Sequence, residues 1–196
     1  NEDWKTNFDL YKSGAEVTPN SWRAQKACAI EYREKGNKET DPVAKRKYYD
    51  EAIKHFSESI RVYPYKAETH ADLGAAYFTI QNQDSAKVHL ERAIQLNPKE
   101  ATASANLGTV YMTQGKYVEG LYYYRMAIAA KPDNVIAMFN LGVCYAQVLK
   151  YDSALIAFKK SLQIAPEYNG YKAFEYTAIM FKTLGRFDSA AKYEAL

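Results

Sequence analysis

"ANLGTVYMTQGKYVEGLYYYRMAIAAKPDN", residues 105–134, decides the fold. Its apolar residues recur at helical spacing in two stripes, one on either side of Gly115. Small residues, Gly108 and Gly120, allow two helices to approach, and bulky Tyr111 and Tyr124 fill the space beside them. Gly115 is expected to end the first helix, and Pro132 to stop the second. The stretch therefore reads as a helix, a turn and a second helix, with Gly108 close against Gly120.

The pattern repeats. Pro64, Pro98, Pro132 and Pro166 are spaced by 34, and Pro19 precedes Pro64 by 45, a surplus of 11. Only Pro42 is out of step, and it lies inside that surplus. With each proline at position 32, position 8 is Ala29, Gly74, Gly108 and Gly142, and position 11 is Tyr32, Tyr77, Tyr111 and Tyr145. Position 20 is Ala52, Ala86, Gly120 and Ala154, and position 24 is Phe56, Leu90, Tyr124 and Phe158. Gly36, Gly115 and Gly185 stand at position 15, between the stripes, while Gln81 and Leu149 replace glycine there. The fold class expected is all-α, a right-handed superhelix (α-solenoid) of antiparallel helix pairs.

On these small, aromatic and proline positions the chain resembles the tetratricopeptide repeat family, from Trp4 to its end. The resemblance implies one domain over 1–196. It opens with a lone second helix at 1–21, where Trp4 is position 17, Tyr11 is 24, Gly14 is 27 and Pro19 is 32. Full repeats follow at 22–66, 67–100, 101–134 and 135–168, and an incomplete one at 171–196 begins near Tyr171 and stops at Leu196. Gln83 at position 17 and Asn7 at position 20 depart from the family pattern. The surplus, "NKETDPVAKRK" (37–47), is expected between the helices of the first repeat. Asp41 and Pro42 form an N-cap and first-turn pair, so the second helix should start early, near Pro42. Lys45, Arg46 and Lys47 read as a solvated helix face, the alternative being a handle for an acidic partner.

A recurring amide carries the functional reading. Position 6 is Asp72, Asn106, Asn140 and, in the last repeat, Tyr176. At about 100° per residue it lies roughly 160° from the core stripe, so it faces out along each first helix. First helices line the concave surface in this fold. Amides stacked about 10 Å apart would match three residues of extended chain, and each can pair with a backbone whatever its side chains. The arrangement is similar to the asparagine ladder of O-GlcNAc transferase repeat domains. Thr109, Met112, Thr113, Phe139, Val143 and Gln147 surround it with an apolar and amide lining. The alternative is that the amides only solvate a helix face.

Other chemistries are not visible. The net charge of +3 is too small for a dedicated nucleic-acid binder, and repeat positions 2 and 5 follow no base-reading rule. No nucleophile and base pair up, no glycine-rich phosphate loop occurs, and no cofactor is called for. His55 and His89 share position 23 and His70 is at position 4, with no carboxylate or thiol spaced to complete a metal site. Cys28 and Cys144 read as small core residues that cannot bridge. No apolar run is long enough to insert into a bilayer.

The expectation is thus a non-catalytic module that binds a protein or extended peptide, its oligomeric state unassigned. The opening stretch, "DWKTNFDLYKSGAEVTPNSWRAQ", is similar to the segment after the last membrane span in transmembrane, tetratricopeptide-containing O-mannosyltransferase-like proteins. Trp4, Leu10, Tyr11, Ser13, Gly14, Pro19 and Asn20 carry that likeness. It implies a piece of a larger, membrane-tethered protein of glycosyltransferase type, on the extracytoplasmic face. The alternative is a free-standing cytoplasmic or secreted adaptor.

Overall fold

A computed structural model describes residues 7–167 and 172–194. Trp4, the repeat start near Tyr171 and the stop at Leu196 lie outside the described residues. Eleven helices and no strand occur among the described residues. They are α1 (Asn7–Val17), α2 (Trp22–Lys38), α3 (Pro42–Val62), α4 (Ala67–Thr79), α5 (Gln83–Leu96) and α6 (Ala101–Thr113). Then come α7 (Tyr117–Ala130), α8 (Val135–Gln147), α9 (Tyr151–Ile164), α10 (Lys172–Thr183) and α11 (Phe187–Glu194). Compactness divides the chain into two units, Asn1–Ala103 and Ser104–Leu196.

Backbone chemistry sets the period. A first helix of 13 residues, a second of 14 and two short links fill each 34-residue repeat, as in α4 with α5 and α8 with α9. The second helices stop because the residue before each proline is forced extended: Tyr63, Asn97, Lys131 and Ala165 have φ between −141° and −150° and ψ between 92° and 98°. First helices end on a left-handed residue, with φ of 73° at Gly115 and 71° at Gly185. The next amide then bonds back across the last turn, as Lys116 N does to the Tyr111 carbonyl at 2.9 Å.

The surplus of 11 does not form a loop between the helices. At 17 residues α2 is four longer than α4, and at 21 residues α3 is seven longer than α5, so two longer helices absorb it. Gly36 is therefore not a helix end. It lies inside α2, where a Cβ would meet the Tyr49 ring at 2.9 Å. The helix starting at Pro42 is capped by the Asp41 carboxylate, which accepts from Ala44 N at 2.8 Å.

Inside each pair, position 24 sits on position 8. A Cβ on Gly108 would meet the Tyr124 ring at 2.9 Å, and one on Gly142 would meet Phe158 at 2.7 Å. The expected Gly108–Gly120 contact is real only through backbone, since the Gly108 carbonyl lies 3.5 Å from a Cβ built on Gly120. The group that occupies the gap is Tyr124. Tyr124, Phe158 and Phe56 are fully buried and anchor the clusters of their units.

Candidate functional site

Position 6 does different work in the two units. In Asn1–Ala103 the Asp72 carboxylate accepts from Arg33 Nη1 at 2.6 Å and lies 3.5 Å from Lys26 Nζ. Lys26 is buried and also reaches Glu68 Oε2 at 2.8 Å. Its hydrogen bond holds the Glu68 carboxyl below the usual range. Two cations from α2 thus meet two carboxylates from α4, and this stretch of face is neutralised from within the fold.

In Ser104–Leu196 the amides of Asn106, on α6, and Asn140, on α8, are half-buried and have no hydrogen-bond partner among the described residues. Their neighbours Ala105, Met138 and Leu141 pack in one cluster. Val143 is half-buried and Gln147 exposed, both on the α8 stripe that carries Asn140. The other residues expected at the site are engaged. The Thr109 hydroxyl lies 2.9 Å from the buried Tyr124 hydroxyl, which also donates to Met112 Sδ at 3.8 Å. Phe139 is only 5% exposed and packs against Phe158 and Tyr176, with centroids 5.4 and 5.5 Å away. Thr109, Met112, Phe139 and Tyr176 are therefore held by packing or hydrogen bonds, while Asn106, Asn140 and Val143 are half-buried and Gln147 is exposed.

The histidines form polar links that spacing alone did not reveal. His70 Nε2 lies 3.1 Å from the Pro64 carbonyl, which can only accept, so that nitrogen carries the proton. In the neutral ring Nδ1 then accepts from His89 Nδ1–H, 3.3 Å away. His55 Nδ1–H donates to Gln25 Oε1 at 2.7 Å, and Gln25 Nε2 donates to the carbonyls of Ala15 and Pro19. Burial pushes all three imidazoles below their ordinary pKa. One signal was available in the aligned sequence: position 11 stacks on position 23. Tyr32 lies on His55, Tyr77 on His89 and Tyr111 on Tyr123, with interplanar angles of 13°, 8° and 2°.

No group of three metal-ligating side chains occurs among the described residues. Cys28 and Cys144 are free and buried, and burial pushes their thiols up to about 11 and about 12. Thiols held neutral are poor nucleophiles. No described helix is long and apolar enough to cross a membrane. What the arrangement leaves open is two amides, each with donors and an acceptor, at the same position of α6 and α8.

Comparison with known proteins agrees with the architecture. The chain is similar to a solved structure of MamA from Desulfovibrio magneticus, 21% identical over 85% of this chain and 91% of that one, with a TM-score of 0.67. It is similar to YrrB, described as a tetratricopeptide protein with an unusual peptide-binding site, at 16% identity, 95% and 89% coverage and a TM-score of 0.71. PilF of Pseudomonas aeruginosa gives 16% identity, 93% and 78% coverage and a TM-score of 0.78. At such identities the likeness speaks for the fold alone. No curated protein matches in sequence. One tetratricopeptide repeat model matches residues 67–100 and a second matches 99–167, together just over half of the chain. With its 34-residue period, its helix pairs and these matches, the chain belongs to the tetratricopeptide repeat family.

Proposed function

We propose that the chain is a non-catalytic protein-interaction module that binds extended polypeptide along the first-helix, concave-type face of its Ser104–Leu196 unit. One observation carries this reading: Asn106 and Asn140 stand at the same position of successive first helices, half-buried and without a partner. Their amide atoms are not among the buried, unsatisfied polar atoms of the described residues, so they reach solvent, and a ligand backbone exchanges water for peptide hydrogen bonds worth about 1 kcal/mol net each. The lining of Val143 and Gln147 is uncharged, which favours backbone recognition over charge matching. YrrB, with its peptide-binding site, lends analogy. The test is calorimetric titration with a panel of extended, uncharged synthetic peptides. Asn106→Ala with Asn140→Ala should weaken binding by about 1–3 kcal/mol in all, at a typical net hydrogen-bond value each, with helicity unchanged. Binding that survives the double substitution sinks the reading.

We also place the chain within a membrane-tethered protein of glycosyltransferase type, on the extracytoplasmic side. The support is the likeness of Leu10, Tyr11, Ser13, Gly14, Pro19 and Asn20 to the segment that follows the last span in such proteins. Here the chain would hold an acceptor or partner while the chemistry lies elsewhere. Several apolar stretches of about 20 residues encoded just upstream would support tethering, and a start codon with no such stretch before Asn1 would overturn it.

A further inference from the structure

Helix α7 carries a second surface, on the side away from its packed stripe. Tyr122 lies about 160° around the helix from Gly120 and from Tyr124, both buried. Polar residues belong on such a face; position 22 is apolar and exposed on α5 and α9 as well, as Val88 and Ile156, but there polar residues flank it. Positions 18, 26 and 29 read Asp84, Arg92 and Gln95 on α5, and Asp152, Lys160 and Gln163 on α9. On α7 the same positions are Val118, Met126 and Ala129. Val118 and Tyr122 are 68% and 61% exposed. With Leu121, Arg125, Met126 and Ala129 they line a groove of about 560 Å³.

The groove's single charge points to its occupant. Arg125 is exposed and has no ion-pair partner among the described residues. Its counterpart on α5, Glu91, pairs with Lys87 at 3.8 Å. An unpaired guanidinium among apolar side chains suits a carboxylate flanked by apolar groups, because Arg binds carboxylates through two parallel bonds. From Val118 to Ala129 the groove runs for about 16 Å, or three turns at 1.5 Å per residue. A second copy of this chain would bring a groove lining that holds no carboxylate. We propose that the Val118–Ala129 groove of α7 docks an amphipathic helix of another protein, with apolar side chains at helical spacing and one carboxylate opposite Arg125. This surface goes beyond the peptide-binding reading and does not depend on it.

The probe is a labelled synthetic helix of about 15 residues with leucines at i, i+4, i+7 and i+11, made with either one glutamate or one lysine beside the leucine stripe. Fluorescence anisotropy against the full chain should show the glutamate peptide binding at least about tenfold more tightly. Arg125→Glu should reverse that order. Tyr122→Asp, at an exposed position, should abolish binding of both while circular dichroism is unchanged. Asn106→Ala with Asn140→Ala should leave probe binding intact, which separates this inference from the one above. Three results would overturn it: no binding, equal binding of the two peptides to the wild type and to Arg125→Glu, or loss of binding in the asparagine variant. A dimer in sedimentation equilibrium that Tyr122→Asp dissociates would likewise overturn it, by making a second copy the occupant.

Discussion

Leu149 holds φ at 60° and Gln81 at 65°, in the region where Gly115 and Gly185 sit at 73° and 71°. All four occupy position 15, so the turn dictates the conformation and the residue accepts it. A Cβ in the left-handed region costs roughly 1–2 kcal/mol, and glycine gives part of that back through the entropy of its unfolded chain. Leu149 is 71% exposed, so its side chain contributes little packing to lose. Leu149→Gly should therefore raise the unfolding free energy by about 0.5–1 kcal/mol, read from urea denaturation. A less stable variant would mean that the leucine side chain outweighs the strain. The period was legible at these positions because a turn is set by local backbone chemistry. Gly36 misled for the same reason: it has the position of a turn glycine, but its helix is four residues longer than the pattern allows.

Between elements, the sequence showed which positions are small and which are large, but not which large group fills which gap. Gly108 was expected to meet Gly120 and does so through its carbonyl, but it also lies under Tyr124, because the ring reaches back across the α6–α7 pair. That ring is fully buried and its hydroxyl is held near Thr109 and Met112. It cannot swing aside without losing both contacts. Gly108→Leu should thus overpack the pair and cost about 1–3 kcal/mol or more. The check is thermal unfolding, and an unchanged midpoint would refute the packing assignment. The site was legible to a similar depth. Recurrence singled out Asn106 and Asn140 as candidates, while Arg33 and Asp72, 39 residues apart, pair because α2 of one repeat meets α4 of the next. No spacing rule within one helix could have found that pair, and so Asp72 was expected to behave like the two asparagines.

At the scale of the molecule, the two units should differ in how they respond to acid. His55, His70 and His89 all lie in Asn1–Ala103, and Ser104–Leu196 contains no histidine. Each imidazole is held neutral by burial, with pKa lowered from 6.5. The unfolded chain therefore takes up these protons first. The contribution to stability is complete above pH 6.5 and is lost as pH falls through that value toward the folded pKa. Glu68, also in the first unit, has its pKa lowered from 4.5, so its contribution is lost only at more acidic pH. Between about pH 7.5 and 5, the first unit should weaken while the second keeps its stability. Hydrogen exchange, corrected for the intrinsic pH dependence of amide exchange, measures this directly. Protection should fall in α2 to α5, where His70 bridges the Pro64 carbonyl to His89 and His55 fixes Gln25. Amides of α7 to α9 should hold. Equal loss in both units would mean that the buried imidazoles do not control the acid response. Loss confined to Ser104–Leu196 would place the sensitivity in carboxylates that these contacts leave out of account.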